Sequence, residues 1–112
     1  LSERESPGAA FEAIGGERSR VVGDLRFGTV AALLEPGAAA ISDGRAAVID
    51  LGTVSASDSS GLALLIEWLS VAKQARRGLR YENVPEQLKE LARLSDVEAL
   101  ITAAAPEAKA AG

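Results

Sequence analysis

The chain contains neither cysteine nor histidine. Without cysteine there is no disulfide framework and no thiolate metal site, and without histidine the commonest metal ligand and general base is missing too. Hydrolytic triads and zinc chemistry are thereby excluded. No apolar run approaches the roughly 20 residues of a helical membrane span. The opening segment from Leu1 to Gly8 carries acids and Pro7 where a signal peptide would carry an apolar core. Both features predict a reducing, cytosolic setting without direct membrane insertion. An excess of positive charge is also lacking. The formal net charge is -4, so nothing supports a general affinity for nucleic acid or an anionic membrane surface, and the expected partners are proteins. The phosphate-binding pattern GxxxxGK[ST] is absent, and the scattered glycines make no dinucleotide fingerprint after a strand. Asp24, Asp43 and Asp50 lack the paired spacing of acid–base chemistry and read as turn and strand-end residues. No enzyme activity, metal or cofactor is expected.

What is present fits one domain, since 112 residues bury a single core. The polar stretch LSERESPGAA (1–10) and the small-residue stretch AAAPEAKAAG (103–112) read as flexible tails around a domain over 11–102. AFEAIGG and RSRVVGDLRF read as two strands joined through Gly15-Gly16, a pair that tolerates positive φ. Thr29 is placed to cap a short helix through Val30, Leu33 and Leu34 that stops at Pro36-Gly37. Ala46 to Leu51, AAVIDL, is a continuous apolar run ending in acid, the pattern of a central strand covered on both faces. Gly61 to Arg77 forms a long helix closed by basic residues and Gly78. LRYENV is a short strand. Pro85 opens a further helix with Leu88, Leu91, Ala92 and Leu94 on its apolar face, and after Ser95-Asp96 a last helical piece runs from Val97 to Ile101. This order predicts an α/β fold, a mixed sheet backed by helices.

Along the long helix, Leu64, Leu65, Trp68, Val71, Ala72 and Ala75 share a broad face that should pack on the sheet. Leu62, Ile66 and Leu69 make a narrower stripe running into Lys73 and Arg76. That stripe is either covered by a neighbouring element or is an exposed apolar strip of the kind that marks a protein contact. Lys73, Arg76, Arg77 and Arg80 form a basic group that a solvated helix end explains as well as a phosphate site does.

The helix is introduced by TVSASDSSG, in which Asp58, Ser59, Ser60 and Gly61 are small or polar. Asp58 or Ser59 is suited to cap the free N–H groups, with Gly61 allowing close backbone packing. Only one cap is needed. A hydroxyl at a helix start is also a favourable place for a phosphate, because free N–H groups and the dipole support negative charge there.

VIDLGTVSASDSSGLALLIEWL followed by NVPEQLKELARLSDVEAL resembles the STAS domain family, over about Val21 to Ile101. GDLRFGTVAALLE and NVPEQLKELARLS look like its MlaB branch, also called the toluene tolerance group. The resemblance implies a STAS-like fold with a mixed four- or five-stranded sheet. It implies a subunit of an ABC phospholipid transporter that maintains outer-membrane lipid asymmetry, bound to an MlaF-like ATPase that works with an inner-membrane permease. Such a subunit is cytoplasmic and peripheral to the inner membrane. Asp58 and Ser59, with Leu62, Ile66, Leu69 and Lys73, would then form the partner-binding surface. In anti-sigma factor antagonists of the same superfamily, the hydroxyl after the aspartate is phosphorylated by an anti-sigma factor kinase. That position is Ser59, whereas the MlaB branch usually has threonine there.

Overall fold

The computed structural model describes residues 8–102. An antiparallel hairpin opens the fold, with strand β1 (Ala9–Gly15) paired to β2 (Arg18–Leu25). Gly15 and Gly16, at φ 90° and 63°, turn the chain between them as the sequence predicts. β1 begins inside the stretch read as a tail, because Ala9 pairs with Gly23 and the Asp24 N–H donates to the Gly8 carbonyl at 2.8 Å. Residues 1–7 and 103–112, the rest of the expected tails, lie outside the described residues.

Helix α1 (Val30–Ser42) follows, then strands β3 (Val48–Asp50) and β4 (Val54–Ser57), helix α2 (Ser59–Ala75), strand β5 (Arg80–Glu82), and helices α3 (Glu86–Leu94) and α4 (Glu98–Thr102). The sheet has five strands: β1 is antiparallel to β2, and β3, β4 and β5 add in parallel. β3 and β4 share one edge of the long β2, β3 against Arg18 to Arg20 and β4 against Gly23 to Leu25. β4 was not foreseen from its short polar sequence. It forms because β3 leaves the end of β2 unpaired, and Thr53 bridges the step by donating from Oγ1 to the Val21 carbonyl at 2.8 Å.

Burial alternates along the strands. Val21, Leu25, Ile49, Leu51 and Tyr81 are buried on the helix-covered face, and Arg18, Arg20, Asp50, Arg80 and Glu82 occupy the other. AAVIDL is therefore covered on one face only, which corrects the two-sided expectation. Its other face sits within a charged lattice in which Arg18 and Arg80 both pair with Glu82, and Arg20 pairs with Glu12 at 2.9 Å.

Two helix ends also depart from expectation. α1 runs through Pro36 to Ser42, and the Thr29 side chain does not cap it. Instead Thr29 Oγ1 donates to the Asp24 carbonyl at 2.8 Å and accepts from the Arg26 N–H at 3.1 Å. The helix continues because Leu33, Gly37, Ala40 and Ile41 recur on one side and are all buried. Gly37 is there for packing rather than as a stop: a Cβ on it would lie 2.3 Å from Cζ2 of Trp68. α2 begins at Ser59, and the left-handed residue closing it is Arg76 (φ 59°, ψ 42°) rather than Gly78. The chain has to turn back there to bring Leu79, 4% exposed, into the core. In α3, Leu88 and Ala92 are fully buried but Leu94 is 83% exposed, so Leu94 leaves the apolar face assigned to it.

Trp68 is the largest fully buried side chain. Its Nε1 donates to the Leu34 carbonyl at 3.2 Å, and its ring meets Phe11 edge-on at 5.5 Å. Tyr81 donates to the Leu65 carbonyl at 2.6 Å, and burial raises its phenol well above the ordinary pKa. These contacts seat α2 on the sheet from both sides of its buried face.

Candidate functional site

β4 ends directly at the start of α2, and the backbone fixes the junction. The Asp58 N–H donates to the Leu25 carbonyl at 3.1 Å. Gly61 packs so closely on the end of β2 that a Cβ would lie 2.2 Å from the same oxygen. The helix start is thus locked to the sheet.

Asp58 is the cap. Its Oδ1 accepts from the N–H groups of Ser60 at 2.8 Å and Gly61 at 3.3 Å. Its Oδ2 accepts from the Phe27 N–H at 3.2 Å, which ties the loop between β2 and α1 to the helix start. Desolvation is the largest influence on the carboxyl and acts to raise its pKa. The N–H groups of Phe27, Gly61 and Ser60, with the nearby Arg26 charge, outweigh it and hold the pKa below the ordinary carboxylate range. Asp58 is therefore a carboxylate committed to three donors.

Ser59 is left over. As the first residue of α2 it is exposed, and its hydroxyl makes no hydrogen bond to the described residues. The capping alternative accounts for Asp58 and leaves Ser59 unexplained. The other expected partner-binding residues are treated unequally. Leu62 is buried at 5% exposure and Ile66 and Leu69 are half-buried, all packed with the core, whereas Lys73 is exposed. α3 and α4 both lie against α2. The stripe is therefore partly covered, with Leu62 inside the core and Ile66 and Leu69 still half exposed at its surface. The basic group disperses: Arg77 Nε donates to the Ser42 carbonyl at 3.3 Å, Arg80 pairs with Glu82, and Arg76 closes α2. Asp24, Asp43 and Asp50 are, as expected, a strand-end residue held by Arg26, a helix-end residue held by Arg45 and a strand-end residue bonded to Asn83 and Gly52.

An apolar groove lies on the opposite flank of α2. Successive helical residues are about 100° apart, so Ser60, Leu64 and Glu67 face away from Leu62, Ile66 and Leu69, with Ser59 on the ridge between. Between that flank and α1 runs a groove of ≈ 520 Å³ lined by Phe27, Val30 and Leu34 on one side and Ala63, Leu64 and Glu67 on the other. Phe27 is 80% exposed and Leu34 37%. Sequence reasoning missed this groove. Ending α1 at Pro36 left its outer face unread, and Phe27, which the sequence reading places at the end of the second strand, lies beyond it because β2 stops at Leu25.

No helix among the described residues is long and apolar enough to cross a membrane. Among curated proteins, no sequence matches the chain. Solved structures that share its fold include the anti-sigma factor antagonist SpoIIAA in its unphosphorylated form and the Bacillus cell fate determinant SpoIIAA in the phosphorylated form. The first aligns with a TM-score of 0.64 and 17% identity over 84% of this chain and 85% of that one. The second aligns with a TM-score of 0.62 and 17% identity over 84% and 88%. The family model described as Mlab, STAS domain matches residues 16–102, which runs from within the hairpin turn through the capped junction and takes in the helices of the described residues, and the chain belongs to that STAS domain family.

Proposed function

We propose that this chain is a non-catalytic STAS subunit that binds and stabilises the ATPase of an Mla-type ABC phospholipid transporter. It works on the cytoplasmic side, peripheral to the inner membrane through that complex. The observation that carries the reading is Ser59, an exposed hydroxyl without a bonding partner among the described residues, held on the helix start that Asp58 caps in an MlaB-type STAS domain. A side chain that is neither core nor cap, presented on a locked junction, is suited to contact. The test is a thermal melt of the purified ATPase with and without this chain. Binding to the folded ATPase alone should raise its melting temperature with concentration. An unchanged melt at saturating protein would refute the assignment.

A second reading is favoured by the same free hydroxyl and by the fold shared with SpoIIAA: an anti-sigma factor antagonist whose complex with an anti-sigma factor kinase is broken by phosphate on Ser59. The helix start tolerates the added charge locally, while the Asp58 carboxylate beside it would make the surface strongly anionic. Incubation with the cognate kinase and ATP, read by intact mass for one added phosphate on wild type and none on Ser59→Ala, separates the two readings.

A further inference from the structure

We propose that the groove between α1 and α2 receives a basic amphipathic helix of the partner ATPase, a deepening that rests on the reading above. Such a helix would lay its apolar side chains against Phe27, Val30 and Leu34 and set a lysine or arginine opposite Glu67. Three features support this occupant.

The apolar area is placed rather than incidental. Phe27 stays 80% exposed while its N–H is bonded to Asp58 Oδ2, so the backbone that carries the ring is held at the groove mouth by the residue that caps α2. A large exposed aromatic at the edge of an apolar channel adds to the surface that the apolar face of a docking helix would cover. The charge is complementary to a cation. Among the described residues Glu67 is the only charged one lining the groove, and neither it nor the exposed Glu35 beside Leu34 forms a salt bridge with them, whereas Asp24, Asp43 and Glu82 are each paired with arginine. An unpaired carboxylate beside an apolar floor favours an incoming Lys or Arg and disfavours an acidic segment. The groove is also continuous with the junction: Ser60 lines it, and Ser59 stands on the ridge at its end. One docked helix would touch both.

The experiment titrates the purified ATPase against the full chain and its Phe27→Ala, Glu67→Gln and Glu67→Lys variants, with melting curves to show that each remains folded. Phe27→Ala should weaken binding at least ten-fold. Glu67→Lys should weaken it more than Glu67→Gln, and the wild-type affinity should fall with added salt more steeply than that of Glu67→Gln. If wild type binds and all three variants match it, the groove is not the docking site although the ATPase assignment stands. If wild type does not bind the ATPase, both fail. Sedimentation of the chain alone adds one more arm: self-association lost in Phe27→Ala, with ATPase binding intact, would give the groove to a second copy and overturn the proposal.

Discussion

Gly37→Ala sets two physical effects against each other. In an exposed helix interior, replacing glycine by alanine favours the helix by about 0.8–1.0 kcal/mol, so secondary-structure propensity predicts a stabilised protein. The packing predicts the opposite. The new methyl would lie 2.3 Å from Cζ2, 2.4 Å from Cε2 and 2.6 Å from Nε1 of Trp68, far inside the 3.5–4.0 Å at which carbon atoms rest together. The indole has little room to retreat. It is fully buried, tethered through Nε1 to the Leu34 carbonyl at 3.2 Å and backed edge-on by Phe11 at 5.5 Å. Overpacking of this kind costs about 1–3 kcal/mol, and with three atoms inside contact distance the upper part of that range applies. After the propensity gain, a net loss of about 1–2 kcal/mol remains. In a domain of this size that lowers the melting temperature by roughly 5–15 °C, at about 4–8 °C per kcal/mol. Urea denaturation followed by far-ultraviolet circular dichroism measures it directly, with or without the single tryptophan. A second variant isolates the cause: adding Gly37→Ala to Trp68→Leu, which empties the space, should cost less than adding it to wild type. A Gly37→Ala protein as stable as wild type or more so would show that the α1–α2 contact is looser than described here.

At the helix start, Ser59→Ala should stay within about 0.5 kcal/mol of wild-type stability because Asp58 supplies the cap. Ser59→Asp should also fold normally but bind the ATPase at least ten-fold more weakly, through a second negative charge beside Asp58. Equal ATPase affinity for Ser59→Asp and wild type, by calorimetry, would remove Ser59 from the contact. Ser19 is fully buried in β2 with a hydroxyl that finds no partner among the described residues, so Ser19→Ala should match wild type or gain up to about 1 kcal/mol in urea denaturation, and a clear loss would mean that the hydroxyl is satisfied. Asp58 and Glu82 both have pKa values below their ordinary ones, Glu82 chiefly through its hydrogen bond from Arg18. Their stabilising effect is therefore complete above the ordinary carboxylate range and is lost as pH falls through the lowered folded values. Denaturation midpoints between pH 7 and 3 should show this acid loss, and Glu82→Gln should make it shallower.

The order of elements apart from β4, a capped junction at Asp58 or Ser59 and the buried face of α2 around Leu65 and Trp68 were legible in the sequence because each rests on local chemistry. Turn glycines, capping side chains and a repeat near 3.6 residues act over a few positions and need no distant partner. Other features depended on residues far apart in the chain. Pro36 and Gly37 look like a stop, yet α1 continues because Trp68, more than thirty positions away, fills the space that glycine leaves open. β4 has little strand character of its own and forms against the part of β2 that β3 leaves unpaired. The stripe of Leu62, Ile66 and Leu69 and the flank of Leu64 and Glu67 lie on opposite sides of the helical wheel. Tertiary packing buries Leu62 and Leu64 equally and leaves a groove along α1 between Leu64, the exposed Glu67 and an exposed Phe27. Periodicity tells which side of a helix is apolar, but which apolar side stays uncovered depends on the neighbours the rest of the chain brings to it.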